Sequence, residues 1–334
     1  MPKLKVISEI ANVSISTVSR VLANKDNVSQ ETRERVLNAL AEITGSDTPH
    51  RASGRSLTVG VLVPEKGEFI NDDPMTSIDM TSLREEIESG GNRALMIRYG
   101  GGEGPGTAPP DLGKLDAAVV NDPGVDDPIV RLLEQKGIPF VVTNGRFGEP
   151  ARNYVDYNNQ DGALQAVRHL VELGHERIGA LTGPIMRMVS VNRLAGYRQA
   201  LEEAGIPAVE PRIIPGSFSL NGGYDACKAL LAADPRVTAI FAFSDLSAIG
   251  AIRALKEAGR SVPGDVSVVG FDDMELARYS DPQLTTVSRF KFDISALLAR
   301  AADDIGRNRD IEHVGISLKT RLIVRSSTGL PRAT

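Results

Sequence analysis

The run VSISTVSRVLAN places Ser14, Ile15, Ser16, Thr17, Ser19 and Arg20 side by side along the chain and ends on Asn24. These are side chains that can read DNA. An arginine forks onto the edge of a guanine, an isoleucine touches a thymine methyl, and a serine hydroxyl pairs with several base edges. A second set of polar residues could hold a small polar molecule. Asp272 and Asp273 follow the apolar run VSVVGF, Ser244 and Asp245 follow AIFAF, Arg193 lies at the start of NRLAGYRQAL, and Asp161 opens the helical stretch after YVDYNN. A carboxylate and a guanidinium converging on a cleft each make paired hydrogen bonds to vicinal hydroxyls, which is how sugars are commonly held. Asp161, Asp245 and Asp273 have a second reading as helix caps, because an aspartate oxygen satisfies the orphan N–H groups of a first turn.

The elements that position the first set lie in residues 4–43. Leu4, Ile7 and Ile10, then Val18, Val21 and Leu22, then Val36, Leu37, Leu40 and Ile43 recur at three- and four-residue steps, the spacing of one helix face. Three short amphipathic helices follow from this, closing a small core. Ser14 is placed to cap the second and Ser29 the third, and Ala11, Asn12 and Val13 make the turn between the first two. With Val18, Val21 and Leu22 turned inward, the second helix presents the residues from Ile15 to Arg20 outward near its N-terminus, as the recognition helix of a helix-turn-helix does. The plainer alternative is a solvent-facing polar helix in a bundle.

From Leu57 the chain alternates strand-like runs, LTVGVLVP, RALMIR, DAAVVN, PFVVTN, RIGALTG, AIFAFS and VSVVGF, with helical patterns at 75–89, 128–136, 159–173, 190–204, 221–232 and 245–258. Repeated strand-helix-strand order predicts doubly wound parallel sheets, which bind ligands beyond the carboxyl ends of their strands. TTVSRF, a helix over 293–307 and ISLKTRLIVR close the chain. Between head and core, TGSDTPHRASGRS has a linker composition and one possible helical turn, His50 to Ser53, bracketed by Thr48, Pro49 and Gly54. GGGEGPGTAPPDLGK, residues 100–114, is too rich in Gly and Pro to be a helix, matches no phosphate-loop motif, and reads as a surface loop.

Length and charge agree with a small head on a two-lobed body. Of 334 residues, 1–56 carry a net charge of +2 and the remainder −7, so the head approaches phosphates and the body does not adhere to them. The single cysteine, Cys227, excludes an internal disulfide framework and reads as a packing residue. No secretion signal and no membrane span is legible, which predicts a cytoplasmic protein. His50, His169, His175 and His313 are too scattered for a metal site or a catalytic base, and no nucleophile elbow or paired Cys-x-x-Cys is present. Neither an enzyme nor a metal or other cofactor is expected.

Residues 5–43 resemble the DNA-binding head of the LacI/GalR family of bacterial transcription regulators, above all in VSISTVSRVLAN and VSQETRERVLNAL. The blocks VDYNNQDGALQAVRHLVELGHERIGALTGP, NRLAGYRQALEEAGI, SDLSAIGAIRALKEAG and VPGDVSVVGFDD extend the resemblance over nearly the whole core. It implies an α/β chain with a three-helix helix-turn-helix head, 1–47, a hinge, 48–56, and a periplasmic-binding-protein-like core whose chain crosses between lobes three times. The lobes are expected at 57–172 with 289–317 and at 173–288 with 318–334. The resemblance further implies a repressor, working as a homodimer on a palindromic operator and controlled by a small polar effector such as a sugar. Ser14, Ile15, Ser16, Thr17, Ser19, Arg20, Asn24, His50 and Arg51 would then meet DNA, and Met75, Asp161, Arg193, Ser244 and Asp272 the effector. The chain departs from the family at Ser244, where Asn is frequent, at Met75, where an aromatic is frequent, and in the hinge. There the usual Tyr-x-Pro-Asn is missing and the position of the wedging leucine falls near Ser56, with Leu57 reading as the start of a strand. A regulator without effector control and a solute-binding protein sharing the core fold are the alternatives.

Overall fold

Short runs of Val, Ile and Ala bury well on both faces of a parallel sheet, and the amphipathic stretches between them supply the helices that cover it. In the computed structural model the described residues are 8, 11–14, 17–18, 21, 29, 32–33, 35–36, 55–64, 74–100, 111–144, 152–289, 294–308, 311 and 313–332, with side chains of the first core helix from 80 onward. The chain divides into two units, Met1–Ser56 with Lys291–Asp293, and Leu57–Phe290 with Ile294–Thr334.

The second unit holds two six-stranded sheets. The first lobe is built from β1 (Thr58–Pro64), α1 (Pro74–Ser89), β2 (Arg93–Tyr99), β3 (Ala117–Asn121), α2 (Pro128–Gln135), β4 (Phe140–Thr143) and β5 (Tyr154–Tyr157). The chain then enters the second lobe as α3 (Asn159–Glu172), β6 (Ile178–Leu181), α4 (Met188–Glu203), β7 (Ile213–Ile214), α5 (Leu220–Ala233), β8 (Ala239–Ala242), α6 (Asp245–Glu257), β9 (Ser267–Asp272), α7 (Glu275–Tyr279) and β10 (Thr285–Arg289). It returns as α8 (Ile294–Arg307) and β11 (Gly315–Leu318), and crosses once more into β12 (Thr320–Ile323). The strand orders are β11-β5-β4-β3-β1-β2 and β12-β10-β9-β8-β6-β7. Every pairing is parallel except that of β10 with β12. The two doubly wound lobes and the three crossings are those the sequence implied.

Two packing details differ from the sequence reading. A border at 172/173 leaves α3 with the first lobe, yet α3 packs on α4 and against β10 and β12, so the first crossing falls at Asn158. Gly196 makes that packing possible, because a Cβ there would stand 2.2 Å from the Gln160 carbonyl oxygen. The end of the loop 100–114 is not a surface feature, since Leu112 and Leu115 are buried among Leu62, Tyr99 and Val120. Leu57 is likewise buried against Ile305 and Ala117, with its N–H on Asn92 Oδ1 at 3.0 Å, so it is a core residue of the first lobe. No helix among the described residues is long and apolar enough to cross a membrane.

The C-terminal segment is fastened to the second lobe through His175. Its Nε2 lies 2.9 Å from the Gly329 carbonyl and its Nδ1 3.0 Å from the Thr238 hydroxyl. A carbonyl only accepts, so Nε2 carries the proton and Nδ1 accepts from Thr238. Burial holds the imidazole below its ordinary value of 6.5. The unfolded chain therefore takes up a proton that the folded one refuses, and stability falls as pH drops below 6.5. His175→Gln removes this contribution. Thermal unfolding measured from pH 7.5 to pH 5 should show a shallower loss for the variant than for the parent, and parallel curves would show that His175 contributes none of the acid sensitivity.

Candidate functional site

In the head, a turn and two helix starts are on view. Asn12 adopts φ 49°, Val13 N–H donates to Ser8 O at 3.1 Å, and Arg35 donates to the carbonyls of Ala11 and Asn12 at 2.7 and 2.8 Å, closing the turn predicted for residues 11–13. Ser14 Oγ accepts from Thr17 N–H at 3.1 Å and Ser29 Oγ from Thr32 N–H at 3.3 Å, so both serines cap helix starts. Val18, Val21 and Val36 are buried. The Thr17 hydroxyl, expected to face DNA, is held by Ser14 Oγ at 2.8 Å. Ile15, Ser16, Ser19, Arg20, Asn24, His50 and Arg51 lie outside the described residues.

In the core, the carboxyl ends of β8 and β9 meet the first turns of α3 and α4. Arg193, only 4% exposed, donates from Nε to Asn159 Oδ1 at 2.9 Å, from Nη1 to the Phe243 carbonyl, and pairs through Nη2 with Asp272 Oδ1 at 3.4 Å. Its guanidinium carbon stands 3.6 Å from the Phe271 ring centroid, and the Phe218 ring lies at 5.9 Å. Asp272 also pairs with Arg289 Nε at 3.3 Å, and the Arg289 guanidinium covers the Tyr157 ring of the first lobe at 5.2 Å. Asp272 and Asp273 have φ of 114° and 53°, a turn in the left-handed region that re-aims both carboxylates, and Asp273 pairs with Arg325. The structure thus brings Arg193 and Asp272 together.

The other expected residues are disposed differently. Ser244 caps α6, accepting from Ser247 N–H at 3.1 Å, and donates its hydroxyl to Phe218 O at 3.3 Å. Asp161 caps nothing, since Asn158 Oδ1 receives the Asp161 N–H at 3.2 Å; its carboxylate accepts from Gln165 Nε2 at 2.7 Å. Met75 lies in the first turn of α1, with its side chain outside the described residues. Asp245, fully buried, receives Met274 N–H at 2.7 Å and the Thr286 hydroxyl. Burial first, and the neighbouring Asp272 second, push its carboxyl well above the ordinary carboxylate value. At the end of β3 in the first lobe, Asn121 is 1% exposed; its Oδ1 accepts from Asn144 at 3.2 Å while its Nδ2 has no acceptor among the described residues.

Residues 3–44 match the model of the lacI family of bacterial regulatory proteins, and residues 167–328 that of the periplasmic binding protein-like domain. The HTH-type transcriptional regulator CelR of Thermobifida fusca is 33% identical over 98% of both chains. The chain belongs to the lacI family of bacterial regulatory proteins. It is a DNA-binding transcription regulator and not an enzyme. The HTH-type transcriptional repressor PurR of Escherichia coli O139:H28 is 32% identical over 98% of this chain and 97% of its own. A solved CelR–cellobiose complex superimposes with a TM-score of 0.72 at 32% identity, covering 98% of this chain and all of that one.

Sequence reasoning missed Arg289, Asn159, Phe218 and Asn121 in this lacI-family core. Arg289 and Asn121 end strands, TTVSR and AAVVN, so the rule that selected Asp272 would have found them. Asn159 and Phe218 carry no such signal.

The unfolded Asp245 ionises near 3.8 while the buried carboxyl keeps its proton to a higher pH, so the folded state loses stability as pH rises above 3.8 until that carboxyl ionises. Asp245→Asn has no proton to lose. The variant should therefore gain on the parent in chemical unfolding as pH rises from about 4 to 8, and a constant difference would show that Asp245 is ionised in the fold. Asp245→Ala instead leaves Met274 N–H and the Thr286 hydroxyl unmet, at a cost of about 1–3 kcal/mol each.

Proposed function

We propose that this regulator is a cytoplasmic repressor, acting as a homodimer on a palindromic operator, whose affinity for DNA is set by a small polyhydroxylated effector of the sugar class. The observation that carries the effector reading is the Arg193–Asp272 pair at the carboxyl ends of β8 and β9. A guanidinium fixed by Asn159 and Phe243 has little freedom left to lose on binding, and beside a carboxylate it offers donors and acceptors at the spacing of adjacent hydroxyls. The Phe218 ring supplies an apolar face for a sugar ring, and the Asn121 amide N–H supplies a donor from the opposite lobe. CelR, solved with cellobiose, supports this class of ligand. Ser244 holds the start of α6 beside the site, and Asp161, Ser244 and Met75 complete the proposed effector contacts.

For the head, the reading rests on the capped second helix and its turn. Ile15, Ser16, Thr17, Ser19, Arg20 and Asn24 are the proposed contacts, Ser14 positions that helix on phosphates, and His50 and Arg51 extend the contact from the linker. One head of charge +2 binds weakly, and two heads on one dimer raise the effective concentration at paired half-sites.

Selection of random duplexes by the purified full-length protein should enrich a palindrome with a steep dependence on salt. Failure to enrich any sequence would count against operator binding. On that duplex Arg20→Ala should lower affinity by about 10- to 100-fold. Asp272→Asn should leave operator affinity intact while abolishing the response to cellobiose and related oligosaccharides. A response that survives in Asp272→Asn would remove Asp272 from the effector site.

A further inference from the structure

The ion pair between Arg187 and Asp122 joins one lobe to the other. Arg187 precedes α4 in the second lobe and donates from Nε and Nη2 to Asp122 Oδ2, beyond β3 in the first, at 2.8 and 2.6 Å. Both side chains are largely buried, 20% and 10% exposed. Backbone contacts run beside it. Gly124 and Arg187 form an antiparallel bridge, and Val125 N–H donates to the Met186 carbonyl at 3.0 Å.

Each half of this contact is anchored in its own lobe. Asp122, at φ 42°, donates its N–H to Thr143 O on β4 at 3.0 Å. Asp127 holds the following loop, receiving Gly124 N–H at 3.0 Å, Ile129 N–H at 3.1 Å and the buried Tyr99 hydroxyl at 3.0 Å. On the other side Arg187 opens the helix that carries Arg193. The three crossings follow β5, β10 and β11, whereas β3 lies inward of β5 and β4 in the sheet. Separation of the lobes about the crossings would therefore pull this contact apart.

We infer that Arg187 and Asp122 form a clasp that biases the lobes toward closure through the protein's own contacts. Opening the lobes rehydrates both charges, while removing one member leaves the other buried without this ion pair only in the closed form. The loss of either partner thus shifts the balance toward open. The clasp sets how much of the closing an effector must itself drive.

The test needs neither operator nor effector. Nitroxides on Arg131→Cys of α2 and Glu202→Cys of α4, both exposed, report the distance between lobes by pulsed dipolar spectroscopy in the full-length protein. Cys227 is buried, with its thiol pushed up to about 12, and does not take the label. Asp122→Asn, suited to the left-handed backbone, and Arg187→Gln should each move the distribution to longer distances, with the closed population reduced about tenfold or more. The double variant should open no further than either single one, because the two residues act as one contact. Arg187→Lys, which keeps the charge, should stay nearer the parent. Thermal unfolding confirms that each variant is folded. Parental distances in the single variants, additive opening in the double one, or identical Lys and Gln variants would overturn the clasp.

Discussion

A guanidinium taken out of water must meet acceptors along its edge and a tolerant surface on its face, because an unmatched buried charge is among the costliest defects a fold can carry. Arg193 meets that requirement with groups from separate segments: Asn159 just past the first crossing, the Phe243 carbonyl at the end of β8, Asp272 at the end of β9, and the Phe271 ring beneath it. None of these can shift without exposing the others. The second-lobe half of the site is therefore as rigid as the strand ends that build it. The left-handed turn at Asp272 and Asp273 is held from both sides, by Arg193 and Arg289 on one carboxylate and by Arg325 and Arg278 on the next.

The first lobe meets this fixed half through contacts of another kind. Its interior is a separate set of apolar clusters, Val61 and Leu83 with Leu298 on one face and Leu62 and Val120 with Leu133 on the other, and none of these residues packs into the second lobe's clusters. Polar groups bridge the lobes, with Arg187 on Asp122 and Arg289 over Tyr157, beside an apolar contact in which Met188 of α4 packs on the Leu62 cluster. Two apolar cores joined at the crossings and bridged by so few contacts can change their mutual angle while exposing little of either core. That division of labour suits the effector proposed to act between the lobes.

The strands and helices of the core were legible because burial on both faces of a parallel sheet demands unbroken apolar runs, and AIFAF and VSVVGF have no other use. Arg193 and Asp272 were legible by their position after such runs. Side chains that belong to the site only through tertiary approach were not. Asn159 looks like one more polar residue at a helix start, and Phe218 sits in a loop whose role depends on where Arg193 comes to lie. Ser244 and Asp161 were legible only as candidates. A polar residue at a strand-to-helix junction can serve the ligand, the helix or both, and residue order alone does not carry the hydrogen bonds of Ser244 with Ser247 and Phe218, or of Asp161 with Gln165. The border at Asn158 was misplaced for a related reason, since periodicity shows that residues 159–172 form a helix but not which sheet it covers.

A built-in preference for closure changes what an effector has to do. A ligand shifts a two-state equilibrium only by the difference in its affinity for the two states, and its apparent affinity falls with the fraction of protein already competent to bind it. A core held partly closed by Arg187 and Asp122 raises that fraction. It lets the modest set of hydrogen bonds proposed around Arg193 and Asp272 act at lower concentration, but it also narrows the range over which the effector can move the equilibrium. Because the coupling between DNA and effector is reciprocal, the same bias is felt by the operator. The strength of one ion pair between the lobes thereby sets both the sensitivity and the span of the response.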